Sequence, residues 1–370
     1  MSYLLSIVVP TKNRYDYLKH LIELINDFNN NEIELVVQDN SDDNSEIIDF
    51  LKGINNNNIK YFYSTELLSQ GGNSDKAILN STGEYVCFIG DDDGVMPNIV
   101  EVTRWMKDNG YKALKAYKPS YHWPGLRSSY LSTDSSGVLK FKKWKKGHKI
   151  MKTANGLADT LKKGGTSINK LPCVYHGIVR KDILQVIYNK IGTYFPGPSP
   201  DMANAVALTQ VIDDFVYVNY PVVISGTSPK SAGGLGVLHQ HIAYIEDVAQ
   251  LPRDTALQWD KRIPKYWTGP TIYAESVIKA LQSFNKNTTI EKLNFNYLYA
   301  WVSIFNRNDN KIIFLNFDIK YPLIVFLLKI KIFVYRSIFF IYNRISPKVR
   351  MSNVDNIKEA IGICQKFTIG

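Results

Sequence analysis

The most constraining stretch of this sequence is GEYVCFIGDDDGVMP, residues 83–97. Residues 85–89 carry no charge, and the acids Asp91, Asp92 and Asp93 follow after one glycine. A strand that is apolar throughout is typical of the middle of a parallel sheet, where ligands bind beyond the carboxyl ends of the strands. Three adjacent carboxylates repel one another unless a hard divalent cation shares them. The stretch therefore predicts a ligand site, with a solvated acidic turn or a helix N-terminus as the alternative.

Strand-like and helix-like segments alternate through the first part of the chain. Short runs rich in β-branched and aromatic residues lie at residues 4–10, 33–41 and 59–64. Segments with apolar residues at helical spacing separate them, so the order predicts a doubly wound, mostly parallel α/β sheet. The first strand is followed by PTKNRYDY and lacks the G-x-G-x-x-G of dinucleotide-binding proteins. This argues against a nicotinamide cofactor.

The formal net charge of +10 indicates an anionic partner, which is a nucleic acid, a phosphorylated ligand or a membrane surface. One basic run, KFKKWKKGHK at residues 140–149, could contact nucleic acid, but we interpret it as a solvated surface insert or a patch that meets lipid phosphates. The three cysteines lie far apart in the sequence. That spacing argues against a disulfide framework or a zinc cluster and is consistent with a reducing cytoplasm.

Three segments in order, SIVVPTKNR, LVVQDNSDDNS and GNSDKAILNSTGEYVCFIGDDDGVMP, resemble the nucleotide-binding half of an inverting family 2 glycosyltransferase of the bacterial surface-polysaccharide type. The resemblance covers about the first third of the chain. It implies the GT-A fold, a Rossmann-like, mostly parallel sheet flanked by helices. The expected glycosyltransferase domain spans residues 1–245, with a nucleotide-sugar-binding half at 1–118 and an acceptor half at 119–245.

The resemblance also implies contacts with the donor. Asp39 would meet the base, for which uracil is expected because its imide N–H suits a carboxylate. Asn73 and Lys76 would contact the donor from the helix before the acids, although a helix cap at Asn73 or Ser74 is the alternative. The residues expected to border the nucleotide are Pro10, Thr11, Asn13 and Arg14.

In the register that we favour, Asp92 and Asp93 bind Mn²⁺ or Mg²⁺, and Asp91 faces the ribose or the donor sugar. The other register treats Asp91, Asp92 and Asp93 as the D-x-D motif itself. A late histidine would complete the metal shell, with His239 or His241 as candidates and His176 as a competitor.

The resemblance places the catalytic base at Asp201, an acid at a helix start after the proline-rich turn FPGPSP. A sugar hydroxyl that attacks the anomeric carbon must lose its proton, which a carboxylate can accept. The alternatives are that Asp201 only caps the helix, or that Asp213 and Asp214 compete for the role. Ser228, Lys230 and Ser231 precede a glycine-rich segment that we expect to fold over the diphosphate.

Residues 246–370 are expected to form a helical C-terminal region, with an amphipathic segment at about 319–350. Lys329, Lys331 and Arg336 interrupt its apolar sequence, so the longest uncharged run is too short to span a bilayer. Lys329, Arg336 and Asn343 fall on one side of a helix, which predicts an interfacial membrane helix with a basic face. A buried core helix or a homodimer contact is the alternative.

Together these patterns predict a metal-dependent inverting transferase of a hexosyl or N-acetylhexosaminyl group. It would move the sugar from a nucleoside diphosphate donor, expected to be UDP-linked, to a hydroxyl of a glycan carried on a polyprenyl diphosphate lipid, as in O-antigen or capsule synthesis. The expected location is peripheral, on the cytoplasmic face of a bacterial membrane, and no nucleic acid is expected. A nucleotidyl or phosphoryl transferase and a noncatalytic membrane-associated subunit are the other hypotheses.

Overall fold

The computed structural model describes residues 3–126, 136–237, 242–248, 250–306, 309–315, 317–345 and 348–367. The strands are β1 (Leu5–Thr11), β2 (Ile33–Asp39), β3 (Ile59–Tyr63), β4 (Tyr85–Phe88), β5 (Gly94–Val95), β6 (Ala113–Ala116), β7 (Ser120–His122), β8 (Val138–Phe141), β9 (His148–Lys152), β10 (Gly177–Arg180), β11 (Asp214–Val218), β12 (Val223–Thr227), β13 (Ala243–Tyr244), β14 (Tyr266–Trp267) and β15 (Val349–Met351).

The helices are α1 (Tyr15–Asp27), α2 (Ser45–Leu51), α3 (Gln70–Leu79), α4 (Ile99–Asp108), α5 (Thr153–Lys162), α6 (Lys181–Ile191), α7 (Pro200–Leu208), α8 (Ala232–Val237), α9 (Thr255–Gln258), α10 (Gly269–Ser283), α11 (Asn287–Ile290), α12 (Phe295–Phe305), α13 (Asn310–Ile313), α14 (Pro322–Ile345) and α15 (Ile357–Lys366). A 3₁₀ turn lies at Ile245–Asp247.

The main sheet has the strand order β3-β2-β1-β4-β10-β6-β11-β9 within the described residues. Strands β3, β2, β1 and β4 pair in parallel, as do β6 and β11, whereas β10 and β9 pair antiparallel to their neighbours. Every residue of β2 and β4 is buried, as expected for strands covered on both faces. The predicted α/β fold with a mostly parallel sheet is therefore confirmed.

The register of the parallel strands brings the predicted site residues to one edge of the sheet. Thr11 at the end of β1 pairs with Asp39 at the end of β2, and Val8 pairs with Phe88 at the end of β4. The acidic loop, residues 91–93, starts three residues after β4 ends. Since the carboxyl ends of parallel strands share an edge, the loop lies beside the segment that follows β1.

The segment that contains the basic run at residues 140–149 is partly built into the core. Its β9 is the edge strand of the main sheet, and its β7 and β8 belong to a second sheet of order β15-β8-β7-β12-β5. Tyr121, Trp123 and Trp144 are buried. The interpretation of the basic run at residues 140–149 as a solvated insert was therefore wrong for Phe141 and Trp144, because these aromatic side chains between the lysines are buried.

The C-terminal region is helical as predicted, but its last part returns to the first core. Strand β15 pairs with β8, and α15 buries Ile357, Ile361 and Cys364 against the core that also contains β1 and β2. The structure thus departs from a simple division into residues 1–245 and 246–370. Within the described part of the chain, no helix combines the length and apolar character that crossing a bilayer requires.

A close approach between β12 and the acidic loop gives a test of this packing. A Cβ on Gly226 would lie 1.7 Å from the carbonyl oxygen of Asp92. We expect Gly226→Ala to lower the free energy of unfolding by about 1–3 kcal/mol, because the strand must move away from the loop. The matched control is Gly71→Ala in α3, where a Cβ meets nothing within 4 Å. Urea denaturation should show the control equal to or more stable than the wild type; equal losses in both variants would contradict the close packing.

Candidate active site

The acidic loop is buried. Asp91, Asp92 and Asp93 are 1%, 4% and 0% exposed, respectively. A solvated acidic turn is therefore excluded, since carboxylates are removed from water only where partners compensate them.

Arg14 compensates the first two acids. Its guanidinium lies 2.9 Å from an oxygen of Asp91 and 2.8 Å from an oxygen of Asp92. The Thr11 hydroxyl also donates to Asp91 at 2.7 Å. Burial nevertheless raises the pKa of Asp91 to about 7, against the opposing effect of Arg14. The loop therefore carries a carboxyl that titrates near neutral pH.

Asp93 is held by a different set of donors. Its Oδ2 accepts from the Gly90 amide and lies 2.6 Å from His176 Nε2, and its Oδ1 accepts from the Gly226 amide. Lys118 Nζ lies 2.6 Å from His176 Nδ1, so the imidazole accepts from the ammonium and donates to the carboxylate. Although burial acts to raise it, the pKa of Asp93 is lowered, chiefly by His176.

The expected metal set of Asp92, Asp93 and His239 does not fit this arrangement. Both oxygens of Asp93 already accept protein hydrogen bonds, and Arg14 occupies the charge-compensating position beside Asp92. His239 and His241 lie outside the described residues, which contain no group of three His, Cys, Asp or Glu able to hold a metal ion. His176 lies directly before β10 and contacts Asp93.

The loop after β12 contacts the acidic loop, whereas its expected closure over a diphosphate stays a prediction. The amide and the hydroxyl of Ser228 donate to Asp92 Oδ2 at 2.9 and 2.7 Å, and the hydroxyl accepts from Arg14. Ser231 donates to the Ser228 carbonyl, whereas Lys230 is exposed. The structure thus brings Ser228 directly to the acidic loop and leaves the ammonium of Lys230 available to a ligand.

The predicted base-binding residue Asp39 is fully buried. Its Oδ2 accepts from Tyr15 and Tyr61 at 2.6 and 2.7 Å, and its Oδ1 accepts from the Ser41 amide. In this conformation its oxygens face protein donors. The contact with a base therefore stays a prediction that requires the tyrosines or Ser41 to move.

The other predicted nucleotide residues line the same edge. Asn13 has a left-handed backbone with φ of 56°, and its side chain exchanges hydrogen bonds with Asp42. Asn73 Oδ1 is buried without a hydrogen-bond partner, although its Nδ2 donates to the Thr11 carbonyl. Lys76 pairs with Glu66 at 3.1 Å. Pro10 is half-buried.

The unsatisfied oxygen of Asn73 favours a contact with a ligand over a role as a helix cap. The cap of α3 is Ser69.

Asp201 lies in the first turn of α7, where Ser199 occupies the cap position. Its Oδ1 accepts from the Ser199 hydroxyl and the Met202 amide, and its Oδ2 accepts from Tyr273 at 2.6 Å. Tyr273 comes from α10 in the C-terminal region. Asp214, the competing acid, begins β11 and pairs with exposed Lys152 at 2.7 Å.

Tyr175 contacts the acidic loop. Its hydroxyl donates to Asp93 at 3.3 Å, and its ring lies 3.9 Å from the His176 ring. Besides burial, the charges of Asp93, Asp92 and Asp201 raise the pKa of Tyr175. This half-buried side chain therefore adds a hydroxyl donor to Asp93 beside His176.

The sequence analysis did not predict Lys118, Tyr175 or Tyr273 as site residues. Lys118 was included only as the last residue of the predicted nucleotide-sugar-binding half, and Tyr175 precedes a histidine that was considered for a metal. No local pattern marks Tyr273, which reads as an ordinary helix position. Only the folded chain shows that these residues lie near Asp93 and Asp201.

The raised pKa of Asp91 gives a pH test. Between about pH 4 and 7 the folded protein keeps a proton on Asp91 that the unfolded chain has lost, so this group makes stability fall as the pH rises. As the pH rises across this window, we expect Asp91→Asn to become more stable relative to the wild type. The difference in unfolding free energy should change by roughly 1.4 kcal/mol per pH unit at most. Chemical denaturation at several pH values measures it. The exposed control Asp16→Asn should follow the wild type, and a constant difference for Asp91→Asn would contradict the assignment.

The N-terminal part of the chain is similar to known proteins. The family profile described as Glycosyl transferase family 2 matches residues 6–154. The GalNAc(5)-diNAcBac-PP-undecaprenol beta-1,3-glucosyltransferase of Campylobacter jejuni is 31% identical over 111 residues, which is 29% of this chain. The match spans about a third, 35%, of that relative's length.

Two solved structures have a similar outline at low identity. Staphylococcus aureus TarS 1-349 in complex with UDP-GlcNAc is 13% identical, with a TM-score of 0.44 over 84% of this chain and 88% of that one. The mannosyltransferase PcManGT from Pyrobaculum calidifontis, in complex with GDP-Man and Mn²⁺, is 14% identical, with a TM-score of 0.41 over 89% and 88%. The profile match covers β1 to β4, the acidic loop and Arg14, so residues 6–154 of this chain are similar to a glycosyl transferase family 2 domain.

Proposed function

We propose that the protein transfers one sugar from a nucleoside diphosphate donor to a hydroxyl of a lipid-linked glycan, with inversion at the anomeric carbon. The observation that carries this proposal is the buried acidic loop held by Arg14 at the carboxyl edge of the sheet, in a segment that matches the family 2 profile. UDP is the donor nucleotide we favour, because Asp39 lies at the base end of the expected site and its carboxylate suits the uracil imide.

Positive groups converge where the diphosphate of such a donor would lie. Arg14 contacts Asp91 and Asp92, Lys118 contacts His176 beside Asp93, and the exposed Lys230 lies two residues after Ser228. Negative charge grows on the diphosphate as the sugar leaves. Cations fixed before the reaction stabilise that charge without having to reorganise. Arg14 and Lys118 therefore serve both the resting acids and the leaving group in this proposal.

Asp201 is the proposed general base. A carboxylate that accepts from Tyr273 and Ser199 is fixed in orientation and remains half-exposed to an acceptor hydroxyl. Removal of the hydroxyl proton during attack lowers the barrier, and the hydroxyl then reaches the face of the sugar opposite the diphosphate. Tyr273 acts as a positioning residue, since it touches Asp201 from α10.

The acceptor class follows from the Campylobacter relative, whose name gives a glycan on undecaprenyl diphosphate. We extend a lipid-linked acceptor to this chain, together with a place on the cytoplasmic face of a bacterial membrane in O-antigen or capsule-type synthesis. Attachment through residues 319–350 is part of this proposal. A homodimer is not needed by it.

The base assignment is tested with Asp201→Asn. The amide keeps the shape and accepts a hydrogen bond but cannot take a proton, so we expect turnover to fall on the order of a hundredfold or more while UDP binding is unchanged. Asp214→Asn is the matched control and should retain full turnover. Transfer to a lipid-linked acceptor with release of UDP, and calorimetric titration with UDP, are the two measurements. A product joined through phosphorus, or full turnover by Asp201→Asn, would reject the proposal.

The cation is a separate prediction from the family resemblance. Since Asp93 is fully engaged, Mn²⁺ or Mg²⁺ would have to bind through Asp91 and Asp92 in place of Arg14. We expect Mn²⁺ to strengthen UDP binding by the wild type about tenfold or more and to leave Asp92→Asn unaffected. Equal UDP affinity in Mn²⁺ and in a chelator would show that the protein's own cations are sufficient.

A further inference from the structure

We propose that helix α14 and the neighbouring strands β8 and β15 form one docking surface for an anionic lipid bilayer. The proposal rests on the proposed function only for the location of the acceptor. It assigns the membrane contact to residues from two distant parts of the chain, the basic run at 140–149 and the region after residue 320.

Helix α14 is attached to the protein along a narrow stripe. Val325 and Ile332 are buried, and α14 packs against α12. The opposite side exposes a continuous apolar face, in which the exposed fractions are 71% for Leu323, 57% for Leu327, 48% for Ile330, 66% for Phe333, 49% for Val334, 63% for Ile338 and 56% for Ile341. Soluble surfaces seldom carry apolar patches of this extent without a partner.

Basic residues flank the apolar face on both sides. At 100° per residue, Lys331 lies on one border, and Lys329 and Arg336 lie on the other, next to the packed stripe. The Arg336 guanidinium lies 3.9 Å from the centre of the Phe305 ring on α12. The predicted basic face is therefore a border of the apolar face. Cations that border an apolar stripe can reach lipid phosphates while the stripe enters the acyl region.

The second sheet adds a cationic face beside the helix. The antiparallel register of β15 and β8 places Arg350 directly opposite Lys140. Burial and the charges of Arg350 and Lys348 lower the pKa of Lys140. Burial and the charges of Lys140 and Arg350 lower the pKa of His122 to about 4. Arg350 is exposed and Lys140 is half-buried, so this register places two positive charges side by side on the second sheet.

An unsatisfied polar atom lies at the same place. His122 is on β7, next to β8, and its Nδ1 is buried without a hydrogen-bond partner. Lys142, two residues after Lys140, lies 5.9 Å from the centre of the Tyr342 ring on α14. This contact joins the cationic face and the apolar face into one surface.

Charge complementarity favours a bilayer over the other occupants. Helix α14 contains no Asp or Glu, so a second copy of this chain would bring cations against cations. Nucleic acid would neutralise the lysines but leave the aliphatic face exposed to water. A bilayer with anionic head groups satisfies both parts, through burial of the apolar side chains and through attraction between the basic residues and the head groups.

Co-sedimentation of the full chain with phosphatidylcholine vesicles, with and without phosphatidylglycerol, tests the surface. The wild type should bind the anionic vesicles, and salt should weaken the binding. The double variant Lys140→Glu with Lys142→Glu should bind about tenfold or more weakly. Its matched control, Lys112→Glu with Lys162→Glu, makes the same charge change at exposed positions elsewhere and should bind nearly as the wild type does.

A second pair tests the apolar face. Leu327→Ser with Phe333→Ser should abolish binding, whereas Leu67→Ser with Leu257→Ser, which removes apolar side chains that are even more exposed, should not. Calorimetric titration with UDP on the same proteins separates the two proposals. UDP binding retained with vesicle binding lost supports the docking surface, and failure of the wild type to bind UDP bears only on the proposed function. Equal vesicle binding by all variants, equal binding to neutral vesicles, or dimers that cover α14 without vesicle binding would overturn the proposal.

Discussion

The structure depends on the neutralisation of three adjacent buried carboxylates. Arg14 compensates Asp91 and Asp92, and Lys118 compensates Asp93 through the imidazole of His176. An uncompensated buried charge would cost several kcal/mol, so these contacts fix the relative positions of the loop after β1, the acidic loop and the segment before β10. The same charges then form the cationic floor of the proposed donor site. One set of ion pairs therefore both neutralises the buried acids and lines the proposed donor site.

The sequence predicted the parallel half of the sheet and its site edge because the evidence there is local. Strands β1, β2, β3 and β4 are short uncharged or alternating runs, and each delivers polar residues to its carboxyl end. The second sheet could not be predicted, since its pairing joins β8 to β15, some 200 residues apart in the sequence. The partners of Asp93 were missed for a related reason. Lys118 and His176 are 58 positions apart in the sequence, and they come into hydrogen-bond contact only because β6 and β10 pair.

The acceptor half and the helical region meet at Asp201. Tyr273 belongs to α10, beyond the predicted end of the glycosyltransferase domain, yet it holds the proposed base. The α10 helix packs against α7, and α12 in turn holds α14. The proposed base and the proposed membrane contact are thus connected through a few packed helices, which would set how a lipid-linked glycan approaches the site.

The return of the chain through β15 and α15 has a consequence during synthesis. Lys358 pairs with Asp27 and Glu23 of α1, and the latter contact joins residues 335 positions apart. Ile357 packs against Gly94 immediately after the acidic loop. During synthesis the apolar flank that α15 covers stays open until residues 357–366 have left the ribosome. The N-terminal part of a nascent chain should therefore reach its final packing only after the region beyond residue 350 has been translated.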